Sequence, residues 1–185
     1  MVGTLTVQNL QGPASGANAN KVIIPSGHTL DASGGTLVPS AGAVVQYVYG
    51  TYNIPASSHM HSFSSQSLAA SGLVAQITPK YATSLLVAEF DANWDDETAT
   101  ADGLGTAIYR DGVNLQSAGG YNLGTFQYNN PANDNYSLVS NRVEVIAGST
   151  ALTEFRLYIR TWNGNPIRFA SHAGIAKARI WEIAQ

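Results

Sequence analysis

The 185-residue chain carries a formal net charge of −3 and no cysteine, which excludes disulfides, zinc–thiolate sites and a thiol nucleophile. Its net acidity argues against an electrostatic grip on nucleic acid or anionic lipid, and no apolar run approaches the ~20 residues that cross a bilayer. Charged residues make up only 11% of the chain against a globular norm of about 25%, so the surface has few of the usual defences against self-association.

The opening segment "MVGTLTVQNLQG" lacks the basic start and apolar middle of a secretory signal, so the chain is expected to be soluble and not exported by that route. Up to Ile77 the only charged side chains are Lys21 and Asp31. Disordered chains are polar but usually highly charged as well. A flank this poor in charge is instead expected to be covered by copies of the same chain. Residues 1–43 hold short apolar pieces between turn-forming clusters, and "TLDASGG" (29–35) is followed directly by "TLVPSAG" (36–42). Glycine and proline punctuate both units, which fits a strand and turn repeated, or a turn-rich linker, rather than a helical heptad.

From Ala43 onward the pattern is one of successive strands. "AVVQYVYGTYNI" sets Val45, Tyr47 and Tyr49 against Val44, Gln46 and Val48. "GLVAQITP", "SLLVAEFDANW", "LGTAIYRDG", "YNLGTFQYN", "YSLVSNRVEVIAG", "TEFRLYIRTWNG" and "KARIWEIA" follow, all short, β-branched or aromatic and separated by turn residues. Asp111-Gly112 predicts a hairpin turn, and Asn163-Gly164 a second turn of the same geometry. In "EFRLYIR", Phe155, Leu157 and Ile159 oppose Arg156, Tyr158 and Arg160; in "KARIWEIA", Ala178, Ile180 and Glu182 oppose Arg179, Trp181 and Ile183. No segment holds the stripe of an amphipathic helix for long. Roughly eight or nine short strands call for two packed sheets, since one flat sheet leaves an apolar face wet. The expected fold is all-β: a jelly-roll-like β-sandwich head over 44–185, preceded by a short turn-rich N-terminal stalk at 1–43.

The segment "AQITPKYATSLLVAEF" (75–90) resembles a strand–turn–strand typical of the C-terminal domain of fibre-like proteins of tailed phages, especially those of marine bacteria and cyanobacteria. The likeness continues through "AIYRDGVNL" (107–115), "YIRTWNGN" (158–165) and "ARIWEIAQ" (178–185), and upstream "NKVIIPSGHTLDASGGT" (20–36) is similar to a segment that often precedes that domain. The resemblance implies a homotrimeric fibre or spike in the virion, made in the host cytoplasm, with no enzymatic activity. Its N-terminal segment would anchor to other tail or capsid proteins, and its head would meet a host envelope component. With only about forty residues before the head, a short fibre is expected in preference to a long one. The alternatives are a capsid decoration protein without a host ligand, and a free carbohydrate-binding module.

Three groups of residues stand out as candidate sites. In "SSHMHSF", His59 and His61 would share one face of a strand. Alone they read as solvent-facing histidines. Three chains around a threefold axis would supply six imidazoles, and trimeric phage fibres and spikes hold iron on histidine pairs of this spacing. Imidazole suits iron and other transition metals alike. The run "DANWDDETATAD" (91–102) gathers Asp91, Asp95, Asp96, Glu97 and Asp102 without a basic residue; it lacks the EF-hand pattern and reads as an acidic solvated loop in preference to a calcium site. The loop "YNNPANDN" (128–135) and aromatic residues near turns suggest sugar recognition, with Trp94, Tyr121, Tyr128, Asn130, Asn133 and Asp134 as candidate ligand-binding residues and Trp162 as a further aromatic near a turn. No nucleophile elbow, zinc-protease helix, P-loop or dinucleotide fingerprint is present in the sequence, and no catalytic residue is assigned.

Overall fold

The computed structural model describes residues 14–16, 23, 26, 39–50, 61–96, 102–117, 121–128, 137–170 and 176–185, with only the backbone of 61 and 96. The chain divides into two compact units, Met1–Val38 and Pro39–Gln185. Almost all of the expected stalk, including the Thr-Leu repeat, lies outside the described residues.

The second unit is all-β, and among the described residues there is no helix. Its strands are β1 (Val44–Gly50), β2 (His61–Phe63), β3 (Ala69–Ile77), β4 (Leu85–Asp96), β5 (Gly103–Arg110), β6 (Val113–Asn114), β7 (Thr125–Tyr128), β8 (Ser137–Ile146), β9 (Thr153–Thr161), β10 (Ile167–Phe169) and β11 (Lys177–Ile183). They form two antiparallel sheets. The first runs β1-β11-β4-β10-β2, with β8 on the free side of β4. Strand β4 is long enough to pair along one edge with β11 and then with β10. The second sheet runs β3-β9-β5, with β6 and β7 sharing the far edge of β5.

Alternation sets the faces as expected. Strand β9 buries Phe155, Leu157 and Ile159, β11 buries Ala178 and Ile180, and β4 adds Leu86, Ala88, Phe90, Ala92 and Trp94 to one shared core. Each fully buried Phe, Leu or Ile contributes about 1.5–3 kcal/mol. A one-residue slip of β9 would move three such side chains into water and put Arg156 and Arg160 inside, so the register is strongly specified. One phase differs: Val44 is exposed although Val48 packs on the core. A bulge between Val44 and Gln46 resets the alternation there. The three-residue strand β10 was not expected, being too short to show a pattern, and β2 stands out in the sequence only for the histidine pair. They fill the edge of β4 beyond the end of β11.

The rims of the sandwich are closed by single polar side chains, and these sit in the segments that sequence alone singles out. Glu182 points inward with Ala178 and Ile180 and is fully buried. Its carboxylate accepts the backbone N–H groups of Lys80 (2.8 Å) and Tyr81 (3.0 Å) and the Gln46 amide (2.6 Å). It thereby ties "TPKYATS" and β1 to "ARIWEIAQ". Burial pushes this carboxyl up, but the two backbone donors and Gln46 outweigh it and hold it below the ordinary 4.5. Arg110, in the β5–β6 hairpin, donates to the carbonyls of Ile146 (2.9 Å) and Ala147, joining the second sheet to the end of β8. The hairpin turn has both residues at positive φ, Asp111 at 49° and Gly112 at 83°, the geometry that Asp-Gly favours. At the other turn only Gly164 is positive, at 84°.

The described carboxylates of the acidic run do not lie in a solvated loop, which corrects that expectation for Asp91, Asp95 and Asp102; Glu97 and the side chain of Asp96 lie outside the described residues. Asp91 and Asp95 lie on β4, where Arg179 reaches Asp91 at 3.0 Å and Arg168 Nε donates to the buried Asp95 at 2.7 Å. Asp102, just before β5, is fully buried: its Oδ1 accepts the N–H groups of Gly103, Trp162 and Asn163, and its Oδ2 that of Asn165. Unpaired carboxylates do not survive burial, so each has a structural partner.

Candidate functional site

An aromatic cleft opens on the outer face of the second sheet. The outward positions of β5 are unusually small. Gly103 lies opposite Tyr128, and Gly105 lies between Phe126 of β7 and Arg160 of β9. A Cβ at Gly103 would come within 2.6 Å of the Phe126 ring, and one at Gly105 within 2.7 Å of Leu123. The glycines let these side chains lie flat on the sheet. Trp162, one residue beyond β9, completes the cluster. Its ring stands 5.0 Å from those of Tyr121 and Phe126, tilted by 66° and 60°, in the edge-on range aromatic pairs prefer. Together with Asn122, Leu123, Gly124 and Thr125 they line a cavity of about 320 Å³ that is open on one side.

The walls are fixed by hydrogen bonds, exposed at the surface and partly buried beneath it. The Trp162 N–H donates to Asp102 at 2.8 Å, and its carbonyl accepts the Gln66 amide at 2.9 Å. On the other side, Asn114 Nδ2 donates to the Asn122 carbonyl (3.0 Å), and Gly124 N–H donates to the Thr106 carbonyl (2.8 Å). Beneath the 121–124 turn lies a network. Gln116 Oε1 accepts Ile108 N–H (2.8 Å) and Asn141 Nδ2 (2.9 Å), Asn141 also donates to Thr106 (2.9 Å), and the Thr106 and Thr125 hydroxyls share a bond of 2.7 Å. A surface held this way loses little conformational freedom when a ligand settles on it. Arg160 runs along the edge of the cleft, its Cγ beside the position that a Gly105 Cβ would take and its guanidinium 5.5 Å over the Trp162 ring.

Of the candidate ligand-binding residues, Tyr121 is exposed and lines the cleft, and Tyr128 is exposed one step along the same strand face as Phe126. Trp94 corrects the expectation: it is fully buried in the core, and its indole N–H donates to Gln127 Oε1 at 2.8 Å, so it offers no face to a ligand. Asn130, Asn133 and Asp134 lie outside the described residues. Phe126 and Arg160 were missed: the closeness of Phe126 to Trp162 follows from the pairing of β5 with both β7 and β9, whereas Arg160 stands two residues before Trp162, a spacing already visible in the sequence. His59 lies outside the described residues, and His61 opens β2 opposite Phe169. Among the described residues no three His, Asp or Glu side chains gather as a metal site.

The first sheet presents a different outer face. Register puts Val44, Ile183, Leu85 and Ile146 side by side across β1, β11, β4 and β8. The next row is Tyr47, Trp181, Val87 and Glu144, with the Tyr47 and Trp181 rings 5.4 Å apart. Beyond it come Tyr49, Arg179, Glu89 and Arg142. Val44, Tyr47, Tyr49 and Ile146 are each at least half exposed. The chain matches no protein-family model and no curated protein.

Proposed function

We propose that the protein is a virion component of a tailed phage: a short homotrimeric fibre, anchored to the particle through residues 1–43, whose jelly-roll-like head holds a host-envelope glycan and performs no catalysis. The observation behind the binding role is the cleft of Tyr121, Phe126 and Trp162, a rigid set of aromatic faces open to solvent on a strand scaffold. Pyranose rings present apolar C–H faces to such surfaces, and a weak site repeated on a trimer, and again on each particle, gains effective concentration. The phage setting rests on the resemblance of 75–90, 107–115, 158–165 and 178–185. Support for self-association comes from the outer face of the first sheet, where an apolar row spans the strands beside rows carrying charges of both signs.

A glycan array probed with purified protein tests the binding role, with Tyr121→Ala as the control that removes one exposed wall. Specific hits lost in the variant support it, and a blank array overturns it. Labelled antibody on intact particles tests the setting: decoration with a blank array leaves capsid decoration, and array hits without decoration leave a free carbohydrate-binding module. Sedimentation equilibrium tests the trimer, and a lone polypeptide at micromolar concentration refutes it.

A further inference from the structure

We infer that the ligand of this cleft is an anionic saccharide, whose carboxylate or sulfate is gripped by Arg160 while a sugar ring lies against the Trp162–Phe126 wall; the inference rests on the glycan-binding reading above. The six arginines of the chain are otherwise matched to carboxylates. Arg110 faces Asp111, Arg142 faces Glu144, Arg156 faces Glu154, Arg168 faces Asp95, and Arg179 faces Glu89 and Asp91, all within 3.7 Å. Among the described residues Arg160 has no such partner. Its contacts are the Trp162 ring and a long bond from Nε to the Thr161 carbonyl at 3.4 Å.

In a chain with so few charges, a guanidinium at the edge of an open aromatic cleft, with no carboxylate beside it among the described residues, is a ready anion receptor. Its planar fork of N–H donors matches a carboxylate or a sulfate in a two-point contact. Its stacking on Trp162 orients the fork without consuming the donors. Among the described residues nothing lining the cleft repels an anion: Tyr121, Asn122, Leu123, Gly124, Thr125, Phe126 and Trp162 are all uncharged. The nearby Asp102 carboxylate is buried and occupied by backbone N–H groups. A neutral sugar would gain the aromatic contact alone.

The test uses glycans in matched pairs, uronic acid oligomers with their methyl esters and sulfated oligomers with their desulfated forms, titrated against the wild-type chain, Arg160→Gln and Tyr121→Ala. The expected result is that the charged member of a pair binds at least about tenfold tighter than its neutral twin, as a charge-assisted contact implies. That preference disappears in Arg160→Gln, which still binds the neutral twin, and weakens with salt. Preference for the uronic acids or for the sulfated oligomers assigns the anion. Neutral twins binding the wild type as tightly as the charged members overturn the inference and leave glycan binding standing. Preference that survives Arg160→Gln also overturns it. No binding by any member removes the glycan reading itself and this inference with it.

Discussion

Replacing Glu182 with Gln separates its charge from its shape. In the native protein Oε1 accepts Lys80 and Tyr81 N–H, and Oε2 accepts Gln46 Nε2 and again Lys80 N–H. An amide keeps one oxygen, and its NH₂ must face either the Gln46 amide or the Lys80 N–H, both of which donate. Losing a charge-assisted contact in a buried site costs about 1.5–3 kcal/mol. For a domain of this size each kcal/mol lowers the midpoint by about 2–4 °C, so a drop of roughly 3–12 °C is expected. The pH dependence identifies the charge as the cause. Because the folded carboxyl titrates below its ordinary 4.5, its contribution is complete above that value and is lost as pH falls through the lower folded value. The amide introduced by Glu182→Gln does not titrate. The gap between the two proteins in thermal unfolding by circular dichroism should therefore be full at about pH 7 and narrow toward about pH 3. A gap of the same size at both pH values, or none at neutral pH, refutes the reasoning.

Three further outcomes follow from other contacts. Asp102→Ala removes the carboxylate that accepts the N–H groups of Gly103, Trp162, Asn163 and Asn165; a loss of about 3 kcal/mol in urea unfolding is expected, with a red shift of tryptophan emission as Trp162 loosens. Gly124→Ala places a Cβ 2.2 Å from the Gln116 amide and should cost about 1–3 kcal/mol by overpacking. Gln116→Ala in the same chain should recover part of that loss, whereas Gly112→Ala, with nothing within 4 Å but a φ of 83°, should cost only about 1–2 kcal/mol. Calcium at millimolar concentration should leave the melting midpoint unmoved, since Asp91, Asp95 and Asp102 already have partners; a rise of several degrees would contradict this assignment.

What could be read beforehand was whatever a strand writes within itself. The inward set of β9 and the placing of Glu182 on the core side of β11 follow from period-two alternation, and the β5–β6 turn follows from Asp-Gly. The role of Glu182 could not be read, because its acceptor sites are filled by backbone donors from a loop 102 residues earlier. The misplacing of Trp94 has a sharper cause. Its residue type and its nearness to a predicted turn suggested a surface plate, yet Leu86, Ala88, Phe90, Ala92 and Trp94 share one phase of a single strand. Phase therefore outranks residue type in deciding where an aromatic points.

The same rule explains why the cleft needed the fold. Phe126 lies on β7, while Arg160 lies on β9 and Trp162 one residue beyond it, and the glycines of β5, paired with β7 on one side and β9 on the other, bring these two stretches together. Glycine in a strand weakens it, so two on the outward face of a central strand demand a compensating use. The ring of Phe126 over Gly103 and the side chains of Leu123 and Arg160 over Gly105 supply it. Scarcity of charge then gives Arg160 its meaning. On an ordinary surface an arginine without an ion pair calls for no explanation, but here the other five each face a carboxylate, and the one without a carboxylate partner among the described residues stands beside the aromatic cleft that the glycines hold open.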